Sequence, residues 1–310
     1  MAKRYPRQKG VALITALLIT ATATVAAVAM ASRQQLDIRR TANLGDTGQA
    51  YLFALGVEEW GRQILIRDRQ DNHTDTLGED WATVLPPLTV EGAVVAGRIE
   101  DLQGRYNLNN LVKDGAVSKP DLQRFQRLLR ALDIDERLAT AVADWIDPDV
   151  DPGFPDGAED NDYLAQEPAY RTANAAMASP SELLRVKGFT SEIYRALAPY
   201  VFTFPQRTPI NVNTATAPVL MALVEGMSRA EAEQLIEARG DKGVNSIEAF
   251  MKQAALKNQQ QSIADISLAS SVFLVSARVR YEHGRLRLYS LLSRSADAKT
   301  QVVMRAQGDW

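Results

Sequence analysis

Lys9-Gly10-Val11-Ala12-Leu13 is the stretch that decides how this chain is read. A short basic head with Lys3, Arg4, Arg7 and Lys9 ends in a single glycine, and an apolar run begins at the next residue. No acidic residue precedes Asp37, and Val11 to Ser32 carries no charge. A run of roughly 20 such residues crosses a bilayer as one helix. Three readings meet here. A cleaved secretory signal is processed after its apolar run, and Ala29-Met30-Ala31 is the sequence that offers itself for that cut. A plain signal anchor keeps the whole segment. The third reading, which we favour, cuts on the cytoplasmic side between Gly10 and Val11 and leaves the apolar helix as the new N-terminus. In each case the positive-inside bias holds Met1 to Gly10 in the cytoplasm and sends the remainder across the inner membrane.

The apolar segment is rich in Ala and Thr rather than Leu. Thr15, Thr20, Thr22 and Thr24 interrupt it, and their hydroxyls can bond to carbonyls one turn earlier. Ala21, Ala23, Ala26, Ala27 and Ala29 permit close helix packing. A helix that leaves the bilayer to enter a protein fibre needs this kind of composition. Helical patterning continues beyond it: Leu36, Leu44, Tyr51, Leu52, Leu55 and Trp60 form an apolar stripe expected to pack on a sheet. Gly45, Gly48 and Gly56 weaken the helix locally.

The 310 residues suffice for one large domain or two modest ones. A net charge of -3 points to neither nucleic acid nor an acidic substrate. Cysteine is absent, which removes disulfides and thiolate metal sites. The extracytoplasmic part must rest on its core, or on a core plus a metal that prefers oxygen. Residues 92–101 read as a strand. A block from about Ser118 to Gln261 reads as helices over 121–132, 136–145, 179–186, 191–197, 215–224 and 229–238. Strands return over 272–281, 285–293 and 300–305, with Glu282-His283-Gly284 as a tight turn. Strands on both sides of a helical block predict an α+β fold: a long N-terminal helix packed on a small antiparallel sheet, with a large all-helical domain inserted between strands. The expected division is 1–10 head, 11–32 membrane segment, 33–110 with 269–310 as the discontinuous sheet domain, and 111–268 as the insert.

The second strong signal is the loop 144–162, which holds Asp144, Asp147, Asp149, Asp151, Asp156, Glu159, Asp160 and Asp162 with no Lys or Arg among them. Such a loop repels itself at neutral pH, and a hard cation relieves the repulsion. Calcium, which accepts six to eight oxygens in flexible geometry, fits better than magnesium. Asp147, Asp149, Asp151, Asp156, Glu159, Asp160 and Asp162 are the candidate ligands. The loop is not an EF-hand, because Pro152 replaces the required glycine and Ala158 the bidentate glutamate. Pro148, Pro152 and Pro155 stiffen it. A hydrolytic use of the carboxylates is disfavoured, since acid and base need differing environments. His73 and His283, the two histidines, form no triad pattern.

Residues 209–240 hold a helical hairpin, with Thr214 or Thr216 as cap and Pro218 in its first turn. It resembles helix-hairpin-helix modules that bind DNA phosphates. It offers Gly226 but no second glycine, and Glu225, Glu231 and Glu233 crowd its rim. Phosphate binding draws on positive charge, so a packing role is expected and nucleic acid is not.

The junction at Gly10-Val11 is similar to the class III leader of type IV pilins and pseudopilins. Across the chain, Arg98-Ile99-Glu100-Asp101, Gly104-Arg105-Tyr106-Asn107-Leu108-Asn109, Ala143-Asp144-Trp145-Ile146-Asp147, Gly157-Ala158-Glu159-Asp160-Asn161, Pro168 to Asn174 and Asn211-Val212-Asn213-Thr214-Ala215 follow in one order. This series resembles the type II secretion system protein K family, the large minor pseudopilins. The resemblance implies a pilin-like fold with a helical insert, calcium in that insert, and a tip complex with minor pseudopilins I and J. It also implies cleavage by a prepilin peptidase, contact with the major pseudopilin, and no enzymatic activity. Most pilins carry Glu at the fifth mature position, paired with the N-terminal amine of a neighbour; here that position is Thr15. A buried carboxylate in the bilayer is costly unless paired, and a tip subunit has no neighbour above it. Membrane-anchored DNA binding in an uptake apparatus is the rival reading, and an anchored hydrolase the third.

Overall fold

The computed structural model describes residues 11–84, 86–253, 256 and 263–308. Residues 1–10, Gly10 among them, and the end of the expected helical block lie outside the described residues. Helix α1 runs without a break over Val11–Asp71, about 90 Å at 1.5 Å per residue. Its first part is exposed throughout and is long and apolar enough to cross a membrane. The later part packs on a five-stranded antiparallel sheet of β1 (Leu88–Val90), β2 (Ala93–Asp101), β3 (Val272–Tyr281), β4 (Gly284–Arg294) and β5 (Thr300–Gln307), in that spatial order. The turn between β3 and β4 is Glu282-His283, since Tyr281 already pairs with Gly284.

The face of α1 that meets the sheet differs from the expected stripe. Ala50, Ala54, Glu58, Gly61 and Leu65 are buried, whereas Leu36, Leu44, Leu52 and Trp60 are 53%, 74%, 58% and 43% exposed. Close approach selects small residues: a Cβ on Gly97 of β2 would stand 2.6 Å from Val57 of α1. Tyr51 and Leu55 are half-buried beside this contact. Glu58, the one carboxylate in the stripe, accepts from Arg305 Nε and Nη2 at 2.7 and 2.8 Å and from the Ser290 hydroxyl.

Between β2 and β3 the chain leaves the sheet for the insert. It contains α2 (Lys119–Ala131), α3 (Leu138–Ile146), α4 (Asp160–Leu164), α5 (Ser191–Leu197), α6 (Ala217–Leu223), α7 (Arg229–Arg239) and α8 (Ile247–Met251). The helix expected over 179–186 is a 3₁₀ helix, Pro180–Arg185, held by a Ser179/Glu182 capping box. Tyr106, Leu108 and Leu111 pack in the insert's core, with Tyr106 stacked on Phe125 at 5.5 Å. The passage from sheet to insert therefore comes before the expected change at 110/111.

The two lobes are joined by buried polar groups. Asn211 Nδ2 donates to the Asp75 carbonyl, Asp101 Oδ2 and Ser270 Oγ at 3.0, 3.1 and 3.0 Å. Asp101 Oδ2 also accepts from the hydroxyls of Thr214 (2.5 Å) and Ser270 (2.7 Å). Burial pushes the Asp101 carboxyl up to about 6, against the hydroxyl donors of Thr214 and Ser270. Arg294 closes the joint by pairing with Asp75 and, at 2.7 Å, with Asp68.

Candidate functional site

Helix α3 delivers the acidic loop. Its length fixes Asp144 on the buried side, and Asp147 ends it, its N–H bonded to the Ala143 carbonyl at 2.9 Å. From there the chain turns outward through Pro148 and comes back at Glu159, which precedes the first turn of α4. Asp144 organises this excursion: Oδ2 accepts from the N–H groups of Gly153 and Ala158 at 3.0 and 2.8 Å. Gly157 has to be glycine, because a Cβ there would stand 2.3 Å from both Asp144 Oδ2 and the Gly153 carbonyl oxygen.

Of the seven expected ligands, Asp147, Asp149 and Glu159 come together, each offering a carboxylate oxygen within 4.8 Å of the other two. Asp147 and Glu159 are 4% and 3% exposed. Asp147 Oδ1 and both oxygens of Glu159 have no hydrogen-bond partner. Buried acceptors left in this state are costly. Burial, then the charges of Asp149, Asp144 and Glu159, push the Asp147 carboxyl up to about 7. Glu159 is raised as well, first by burial and then by Asp144 and Asp149. The three carboxylates thus concentrate negative charge at one partly buried point. The remaining four stand elsewhere. Asp160 accepts from Arg171 Nη1 at 2.9 Å and from the Thr172 N–H at 3.1 Å. Asp162 pairs with Lys187 at 2.7 Å, which holds its carboxyl below the usual range. Asp151 and Asp156 are exposed.

Two further oxygens were not read as ligands from the sequence. Thr172 Oγ1 and Asn174 Oδ1 are buried without a partner, and Asn174 Nδ2 donates to the Asp149 carbonyl at 2.7 Å. Neutral Thr and Asn carry no charge signal, so only their place in the series Pro168 to Asn174 pointed to them. A second acidic group, Asp68, Asp75 and Glu79, already has its cation in Arg294, while Glu79 accepts from Trp81 Nε1 at 2.6 Å.

The hairpin of α6 and α7 is turned inward. Val219, Leu220, Ala222 and Leu223 are buried, and Glu225 on its rim takes Arg127 and Arg130 at 3.3 and 3.2 Å. Thr216 is the N-cap residue, with Pro218 in the first turn, while Thr214 serves the joint between lobes. The hydroxyl of Thr15, on the exposed first part of α1, donates to the Val11 and Ala12 carbonyls, each at 3.0 Å. His283 is exposed beside Asp46.

Two family models described as type II secretion system (T2SS), protein K match residues 104–206 and 210–269. Type II secretion system protein K of Pseudomonas aeruginosa is 37% identical over 312 residues, covering 97% of this chain and 93% of the relative. The protein K of Klebsiella pneumoniae is 35% identical, covering 93% of each. The fold matches a chain in the crystal structure of the GspK-GspI-GspJ complex from the enterotoxigenic Escherichia coli type 2 secretion system. That match has a TM-score of 0.79 at 24% identity and covers 87% of this chain and 100% of the other.

Proposed function

The chain belongs to the type II secretion system protein K family, and we propose that it caps, and helps to initiate, the periplasmic pseudopilus that drives folded proteins across the outer membrane. The observation that carries this reading is the position of the insert. It leaves the sheet at Asp101 and returns at Val272, the end opposite the β3–β4 turn that touches α1 at Asp46. Its bulk therefore lies away from the membrane segment, where another subunit would have to stack in a regular fibre. Thr15 agrees with this, because its hydroxyl is satisfied inside its own helix and asks nothing of a neighbour.

In this role the head is cytoplasmic, the prepilin peptidase cuts between Gly10 and Val11, and the globular lobes lie in the periplasm. Minor pseudopilins I and J are the partners in the tip complex, with the major pseudopilin below. The family likeness supports this set, as does the composition of the complex that the fold matches. The role is structural rather than enzymatic. Mass spectrometry of the mature chain is the direct test, and a new N-terminus at N-methylated Val11 is expected. A cut after Ala31, or none, would refute the assignment of the junction.

Calcium is the metal we assign to the loop. Asp147, Asp149 and Glu159 would hold it, with Thr172 and Asn174 as neutral oxygen donors within reach of the same loop. An all-oxygen set including a carboxylate with both oxygens free suits a large hard cation. The ion would neutralise the buried repulsion and fix the loop. Isothermal calorimetry that detects no heat on adding calcium to chelator-treated protein would sink this assignment.

A further inference from the structure

We propose that the outer face of β3 and β4, at the membrane end of the sheet, docks a carboxylate-bearing face of the next subunit down the fibre; this rests on the reading of the chain as a fibre subunit. In the register of this hairpin Arg280 stands opposite Arg285 and Arg278 opposite Arg287, and all four side chains are exposed. The alternate residues Ala277, Val279, Leu286 and Leu288 are buried in the cluster with Ala50 and Ala54 of α1. The arginines therefore share the face turned away from the helix. Like charges directly opposite one another destabilise a strand pair.

Most arginines of the globular lobes are tied to carboxylates: Arg294 to Asp68 and Asp75, Arg305 to Glu58, Arg207 to Asp121, Arg105 to Glu100. The side chains of Arg278, Arg280 and Arg285 make no ion pair or hydrogen bond to any described residue, while their backbones pair in the sheet. Arg98 shares their face but pairs with Glu100 at 3.6 Å. Glu91 and Glu282 stand at the turns of the same end, and Asp46 is taken by His283. The surface is thus a cationic patch, bordered by apolar Val94, Ala96 and Pro87 in one open groove. Guanidinium forks suit planar carboxylates bidentately.

Position selects the occupant. Gly284 packs against the backbone of Asp46 and Thr47, where α1 first meets the lobe. From Ser32 to Asp46 the helix rises about 20 Å, well beyond a Debye length of about 8 Å. Lipid headgroups are therefore out of range, whereas a globular lobe packed beside the exposed stretch of α1 is not.

The test uses the full chain coexpressed with minor pseudopilins I and J and purified in detergent at low ionic strength. Arg280→Glu/Arg285→Glu is expected to lower partner recovery about tenfold, and Arg280→Gln/Arg285→Gln by less. Wild-type recovery should fall as salt rises. Melting temperature reports whether each variant is folded, and the Gln pair decides if the Glu pair is not. Equal recovery by the wild type and both variants overturns the surface alone. A loss seen only in nanodiscs containing phosphatidylglycerol, and not in phosphatidylcholine, overturns it in favour of lipid. A wild-type chain that recovers neither partner overturns both the surface and the fibre reading.

Discussion

Asp147 shows most directly how one residue couples the loop to its surroundings. Its carboxyl titrates near 3.8 in the unfolded chain and at about 7 in the folded protein. Between those values the folded state holds the extra proton, so the residue's contribution to stability falls as pH rises from about 4 to about 7 and is flat above. At the proposed site calcium would compete with that proton. The calcium-dependent rise in melting temperature should therefore be largest above about pH 7 and fade toward about pH 5. Calorimetry with calcium or chelator across this range checks it, and an increment independent of pH would contradict it. Asp147→Asn should abolish the increment and raise the melting temperature of the metal-free protein, a gain on the order of 1 kcal/mol from relieved burial of charge. Gly157→Ala should act through Asp144. A methyl cannot enter a space 2.3 Å from two oxygens, so the loop shifts, and calcium affinity should drop about tenfold or more, as for other changes to groups that hold ligands in place.

At the scale of elements, α1 does two jobs with two kinds of residue. Its membrane segment carries hydroxyls that are satisfied internally, as at Thr15. Thr15→Glu should place an acid where shaft subunits bear one, and the variant should appear in sheared fibres above the wild-type amount, read by immunoblot. No gain in fibre incorporation together with full secretion would remove the support that Thr15 gives to tip placement. Further along, the helix shows where sequence patterning stops being legible. The strands of β3, β4 and β5 were readable because one face is covered by α1 and alternation survives. The α1 stripe was not, since Leu52 and Trp60 look like core residues while Ala50, Ala54 and Gly61 make the contact. Closeness between elements is a tertiary property that hydrophobic period does not encode. The acidic loop divides in the same way: its charge marked it, but sorting Asp147, Asp149 and Glu159 from Asp160 and Asp162 depended on Arg171 and Lys187 arriving from elsewhere.

For the whole molecule the decisive feature is the joint that makes two lobes one body. Asn211 belongs to the insert, Asp75 follows α1, Asp101 ends β2, and Ser270 precedes β3, yet one amide nitrogen reaches the last three. The motif Asn211-Val212-Asn213-Thr214 that resembled a nucleic-acid hairpin is thus used internally: Asn213 pairs with Val244 through both its amide atoms, at 3.1 and 2.8 Å, and Thr214 bonds Asp101. Asn211→Leu keeps the volume roughly constant but strips those donors from a buried carboxylate and a buried carbonyl. Leaving such acceptors unpaired costs about 3 kcal/mol in all. The loss falls on the joint, so unfolding should change from one cooperative transition to two, with the insert melting apart from the sheet lobe. Ser270→Ala, which removes one hydroxyl from the same cluster, should cost about 1 kcal/mol and keep a single transition. Scanning calorimetry, with hydrogen exchange at the amides of β2 and β3, distinguishes the two outcomes. A single transition at the wild-type temperature in Asn211→Leu would mean that apolar packing between the lobes, not this polar joint, sets how the insert is carried on the sheet lobe.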